Sequence, residues 1–171
     1  MLPLLQKIYQ TNKVEDEAGN SFPLNSETSI REGEFLQQII RETEAKITLE
    51  TGMAYGVSSL WICEALRGNN GIKHIAIDPA QRIVPDYDQN QSTKPADPGW
   101  CGIGASNLKK AEFGDLLELH THSSHQALPL LESRGERIDF AFIDGMHTFD
   151  YAFVDFFYID RILKPGGVIV F

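Results

Sequence analysis

Five short apolar runs separated by stretches of helical periodicity constrain this chain more than any other feature. The runs are "ITLE", "IKHIAID", "LLELHTH", "IDFAFID" and "GGVIVF". Between them "VSSLWICEALR", "GASNLKKAEF", "HQALPLLESR" and "FDYAFVDFFYIDRIL" place apolar residues broadly at helical spacing. No hairpin dipeptide joins one run to the next, so the connections read as crossovers that build a parallel sheet with helices on both faces. "IKHIAID" is apolar almost throughout, as a strand covered on both sides requires. The expected fold is α/β, a Rossmann-like three-layer sandwich with a mainly parallel sheet.

Upstream, "SIREGEFLQQIIRETEAK" reads as a helix opened by a Ser29/Glu32 capping box, with Phe35, Leu36, Ile39 and Ile40 on one packed face. At 171 residues the chain is long enough for one core and short for two. Residues 29–171 are expected to form the sandwich, and residues 1–28 an N-terminal extension with some helix, whose polar "TNKVEDEAGNSF" is loosely ordered. The aromatic run "YAFVDFFYID" is expected to pack on the sheet. The stretch from Pro79 to Gly104 reads as a long loop at a strand's carboxyl end, a length that usually covers a site.

A net charge of -9 and a pI near 4.9 exclude a general nucleic-acid binder, which needs clustered Lys and Arg. No apolar run reaches the length of a membrane span and the first residues lack a signal-peptide pattern, so a cytoplasmic protein with a small-molecule partner is expected. Cys63 and Cys101 suggest neither a disulfide nor a zinc centre.

Ligands of such sheets bind beyond the carboxyl ends of the strands. Those positions carry Glu50, Gly52 and Gly56 after the first run, Asp78 after the second, Ser123 and Ser124 after the third, and Asp144, Gly145 and His147 after the fourth. Glycines admit close backbone approach, and the helix start offers unpaired N–H groups. Asp78 is placed to accept the hydroxyl hydrogens of a ribose. The first turn, E-T-G-M-A-Y-G, lacks the G-x-G-x-x-G of dinucleotide sites and puts a carboxylate where a pyrophosphate would gain nothing from one. It suits a nucleoside with a positive amino group and no phosphate, a description that S-adenosylmethionine meets.

The series "LETGMAYGVSSLWICEAL", "HIAIDPAQ", "WCGIGASNLKKAEF" and "IDFAFIDGMHTFDYAFVDFFYIDRILKPGGVIVF" resembles the class I S-adenosylmethionine-dependent methyltransferases. Within them it is most similar to the bacterial branch with D-G-x-H-x-[YF], related to catechol-type O-methyltransferases. The resemblance implies that Glu50, Gly52 and Gly56 frame the methionine part of the cofactor and that Ser58 sits at the helix start. It further implies that Asp78 binds the ribose, that Ser124 with Ser123 borders the adenine, and that Asp144 and His147 face a small-molecule methyl acceptor. His147 is the expected base and Asp144 the positioning group; in metal-dependent relatives an acid at the Asp144 position ligates a divalent cation. Family members continue beyond the fifth strand with further metal ligands and strands, whereas this sequence ends at Phe171. The expectations are therefore a sheet missing the family's last strands, a divalent metal only in a longer form, and a homodimer that covers the exposed sheet edge.

"HTHSSH" places His120 and His122 on one strand face, where surface or packing roles outweigh zinc binding. Tyr87 and Trp100 are candidate covers for the adenine or the acceptor. Two other readings share the scaffold: a non-catalytic nucleoside-binding domain that lost its acceptor half, and another Rossmann-fold enzyme such as an aminopropyltransferase or NAD-dependent dehydrogenase.

Overall fold

A computed structural model describes residues 1–25, 28–81 and 99–171. The chain opens with α1 (Pro3–Thr11), β1 (Lys13–Glu15), β2 (Ser21–Pro23) and α2 (Ile30–Glu42). There follow β3 (Ile47–Thr51), α3 (Val57–Gly68), β4 (Lys73–Ile77), a 3-10 turn at Pro79–Gln81, and α4 (Ile103–Lys110). The last elements are β5 (Leu117–His120), α5 (Ser124–Ser133), β6 (Ile138–Ile143), α6 (Phe149–Ile162) and β7 (Leu163–Val170). The five predicted strands are β3 to β7. They form one parallel sheet in the order β5-β4-β3-β6-β7, which reverses direction beside β3.

Strand alternation sorts the side chains of this sheet. Leu49, Ile75, Ile77, Ala141 and Ile143 pack with Ala127, Leu128, Leu131, Ile159 and Ile162 of α5 and α6. On the opposite face, Phe140 and Phe142 pack with Leu36 and Ile40 of α2 and Ile62 and Ala65 of α3. The middle helix α3 is buried almost all round, with only Glu64, Arg67 and Gly68 of its residues outside the buried class. It therefore lacks the polar stripe of a surface helix. Gly33 makes the α2–α3 approach possible, because a Cβ there would lie 2.4 Å from the Trp61 ring. The capping box at Ser29 and Glu32 forms in both directions, at 3.3 and 2.7 Å. Its helix buries Gly33, Leu36, Gln37 and Ile40, which leaves Phe35 exposed rather than on the packed face.

Two expectations are corrected. The polar "TNKVEDEAGNSF" is ordered: β1 and β2 pair antiparallel, closed by Asp16, whose carboxylate accepts from the Asn20 backbone at 2.8 Å, and by Gly19 at φ +84°. Val14 within it and Leu24 just beyond it reach into the cluster of Leu5, Ile8, Leu60, Trp61 and Leu66, a tertiary anchor that local polarity does not reveal. The aromatic run of α6 does not pack on the sheet as a block. Asp155, Ile159 and Ile162 face inward, while Phe149, Phe153, Phe156 and Phe157 are exposed, Phe149 at 86%. No helix among the described residues is long and apolar enough to cross a membrane.

Candidate functional site

A cavity of about 350 Å³ opens across the carboxyl ends of β3, β4 and β6, beside the reversal of strand order where such sheets bind ligands. Its size falls within the usual range for small-molecule sites, roughly 300–1,000 Å³. The loop after β3 forms one wall. Gly52 continues the ladder by donating to the Ile77 carbonyl at 2.9 Å, then turns at φ +84°. A Cβ on it would lie 2.2 Å from the Asp144 carbonyl oxygen, so no other residue fits. Ala54 also has positive φ, at 46°.

Asp78 holds that turn from the neighbouring strand. Its Oδ2 accepts from the backbone N–H of Met53 at 3.1 Å and of Ala54 at 2.7 Å, and from Gln81 Nε2 at 3.0 Å. Among the described residues Oδ1 accepts only from Ala80 N–H, at 2.8 Å, and keeps acceptor capacity on a residue that lines the cavity. Burial raises the pKa of this carboxyl above the ordinary aspartate range, and the Gln81 and backbone donors oppose the rise.

Of the other expected residues, Ser58, Ser123, Ser124, Asp144 and His147 line the cavity, as does Trp100, which meets Tyr55 edge-on at 5.0 Å. Glu50 does not. Its strand position points it toward α3, where the fully buried carboxylate accepts from Ser58 Oγ at 2.8 Å, from Ser59 Oγ, and from His74 at 3.2 Å. A carboxylate only accepts, so His74 donates from Nε2, and its Nδ1 is hydrogen-bonded to the Thr48 hydroxyl at 2.9 Å. Glu50 thus sits beneath the wall and commits the Ser58 proton inward, which leaves the Ser58 lone pairs for the cavity. Gly56 is likewise off the wall. Its φ of +77° and the Gly104 backbone 3.0 Å from a would-be Cβ make it the hinge from loop to α3 against α4. Tyr87 lies outside the described residues.

Asp144 and His147 stand at the mouth, 3.8 Å apart between carboxylate and Nε2, with the His147 side chain 77% exposed. Burial raises the Asp144 pKa, and the charge of His147 works against that rise. Beside them a second depression of about 400 Å³ is lined by Thr28, Glu32, Phe35, Phe142, Asp144 and Phe171, among others. Asp144 and Thr28 belong to both hollows.

The described residues contain no cluster of three or more His, Cys, Asp or Glu suited to a metal. Asp144 with one exposed imidazole does not match the oxygen-rich octahedral set that magnesium prefers. His120 and His122 do not share a strand face either, because β5 ends at His120. His120 pairs instead with Glu118 of the same strand, at 2.9 Å.

Sequence reasoning missed Thr51, Tyr151 and Asp155 on the wall. Asp155 had a signal, an acid at inward helical spacing with Ile159 and Ile162. Burial raises its pKa, and hydrogen bonds from Ser124 and then Thr51 oppose the rise. A raised folded-state value means that its stabilising share is full below about pH 4 and is lost as pH rises through the folded value. Asp155→Asn is therefore expected to gain stability relative to the parent as pH rises from 4 to 7. Urea unfolding across that range measures the difference, and a parallel pair of curves would contradict it.

The fold and cavity define a Rossmann-like ligand-binding domain. The chain belongs to a methyltransferase domain family, whose profile matches residues 49–171. A Mycobacterium sp. (strain JLS) protein named "Putative O-methyltransferase" is 32% identical over 140 residues, which are 81% of this chain and 53% of that protein. A catechol O-methyltransferase of Niastella koreensis is 26% identical over 83% of this chain and 55% of its own length. The chain thus spans about half the length of the curated relatives it matches. Among solved structures, an O-methyltransferase from Bacillus cereus in complex with SAH superposes with a TM-score of 0.71 at 25% identity, covering 99% of this chain and 65% of that one.

Proposed function

We propose that this chain binds S-adenosylmethionine as a methyltransferase domain acting on a small-molecule hydroxyl acceptor in the cytoplasm. The observation that carries the reading is Asp78, a buried carboxylate on the cavity wall that holds the glycine turn through Oδ2 and, with one described donor on Oδ1, keeps acceptor capacity there for a ligand. The names of the relatives support the reaction type.

The bound cofactor supplies a methyl group already activated by a positive sulfur. The residues need only bind, align and deprotonate. Gly52 and the α3 start take the amino-acid end, where the outward lone pairs of Ser58 suit an ammonium. Asp78 takes the ribose, and Ser123 and Ser124 border the base. The acceptor enters the second hollow against Phe35, Phe142 and Phe171. Asp144 receives its hydroxyl, and His147, free to swing at the mouth, accepts the proton.

Asp78→Ala is expected to weaken S-adenosylhomocysteine binding by about ten- to a hundredfold, the worth of hydrogen bonds to a charged group at about 1.5–3 kcal/mol. Calorimetric titration reads it, and unchanged affinity would remove the ribose assignment. Tight NAD binding with none for S-adenosylhomocysteine would overturn the reading as a whole. A labelled-methyl screen over phenolic acceptors, with and without magnesium, tests the transfer step.

A further inference from the structure

The second hollow has a lining that an acceptor's hydroxyl alone does not explain. On α2, Glu32, Phe35 and Leu36 fall at i, i+3 and i+4 and so share one face. Across from them stand Phe142 at the end of β6, Asp144 two residues on, and Phe171, which follows Val170, the register partner of Phe142 on β7. Phe171 in turn leans on Phe156 of α6, with ring centroids 6.0 Å apart. Three phenylalanines and two carboxylates therefore meet around about 400 Å³, and no Lys or Arg is among the described residues that line it.

The two acids have different work. Asp144 lies where the hollow joins the first cavity, so on the methyl-transfer reading, on which this inference rests, it is committed to the acceptor's hydroxyl. Glu32 has no such task. Its hydrogen bonds come from Ser29, whose N–H reaches Oε2 at 2.7 Å, and among the described residues no cation pairs with it. Hydrogen bonding by Ser29, side chain first and backbone second, holds the Glu32 carboxyl below the ordinary glutamate range, so it is charged at neutral pH. Burial is the main cause that raises the Asp144 pKa, and the Glu32 charge adds to the rise, which puts both acids in one negative field. Ring faces attract a cation and a carboxylate pairs with one, whereas an anion here meets two like charges on a chain of net charge -9.

We propose that the hollow selects acceptors that carry a protonated amine on a compact aromatic body, with Glu32 as the residue that reads the positive end. The ring lies among Phe35, Phe142 and Phe171, the hydroxyl turns to Asp144 and the ammonium donates to Glu32. Neutral aromatics bind by ring burial alone, and anionic ones are turned away by charge. Glu32 is thereby a specificity residue at the far end of the acceptor from the transferred methyl group.

The test is calorimetric titration of the full chain, bare and saturated with S-adenosylhomocysteine, with three phenols of one shape: tyramine, its uncharged alcohol analogue tyrosol and its carboxylate analogue phloretate. Tyramine is expected to bind about three- to tenfold tighter than tyrosol, and phloretate weakest, with the spread shrinking as salt is raised. Glu32→Gln keeps the capping box, since glutamine serves at that position, and is expected to bring tyramine down to the affinity of tyrosol. Glu34→Gln, the same charge change on α2 outside the lining of the hollow, is expected to keep the parent's order. Equal binding of tyramine and tyrosol by the parent, or a tyramine preference that survives in a folded Glu32→Gln, overturns the inference while the adenosyl site stands. A chain that takes up S-adenosylhomocysteine and none of the phenols overturns the acceptor assignment of the hollow and this inference with it. Failure to bind S-adenosylhomocysteine overturns the adenosyl reading alone, and the order of the three phenols on the bare chain then decides the charge preference.

Discussion

Gly52→Ala is expected to lower stability by about 2–5 kcal/mol and to reduce S-adenosylhomocysteine affinity well over tenfold. Two costs add. A residue with a Cβ at φ +84° pays the left-handed penalty, on the order of 1–2 kcal/mol. The Cβ also meets a backbone oxygen at 2.2 Å, which no side-chain rotation relieves, and such overpacking adds about 1–3 kcal/mol. For a chain of this size the fall in melting temperature is roughly 5–15 °C. Gly135→Ala is the control, since Gly135 has φ +71° and nothing within 4 Å of a would-be Cβ. It is expected to show the conformational cost alone. Equal losses at the two positions would mean that the Asp144 contact relaxes freely.

Glu50→Ala is expected to cost about 3–5 kcal/mol, which would make it the most damaging single truncation of a polar side chain here. It strips partners from Ser58, Ser59 and His74 together, at a site with no solvent to replace them, and leaves a void under the cavity wall. Glu50→Gln keeps the volume and one acceptor but places an amide donor against groups that already donate. An intermediate loss is expected. Chemical denaturation of the three proteins checks the order, and a Glu50→Ala protein as stable as the parent would show that Glu50 is not a structural centre. Because the carboxylate lies behind Ser58, the Gln variant should bind the nucleoside ligand with only a modest change. A large loss of affinity in a stable Glu50→Gln protein would return Glu50 to direct ligand contact.

The same residue shows why the sequence was readable in part. Five apolar runs and the helices between them follow from periodicity, which is local, and so do the Ser29 capping box and the glycine break after β3. The direction of Glu50 depends on His74 from the next strand and on Ser59 a helical turn beyond the break. Spacing makes the carboxylate look like a ligand group, and only the packed sheet shows it already paired. The β1–β2 hairpin escaped for a related reason: strands of three residues carry no period, and what orders them is the docking of Val14 and Leu24 against α3. In α6 the abundance of phenylalanine hid a narrower inward stripe, and with it Asp155.

The contact between Gly52 and the Asp144 carbonyl also bears on engineering. The loop after β3 and the loop after β6, which the proposed function gives to the cofactor and to the acceptor, are packed backbone to backbone, and Asp144 N–H donates to the Thr51 carbonyl at 3.0 Å. Neither can be re-cut alone. On that proposal, a library that remodels the loop after β6 to admit a new acceptor is expected to move the cofactor as well, so gains in acceptance should come with drift in donor affinity. Successful variants will carry paired changes in both loops.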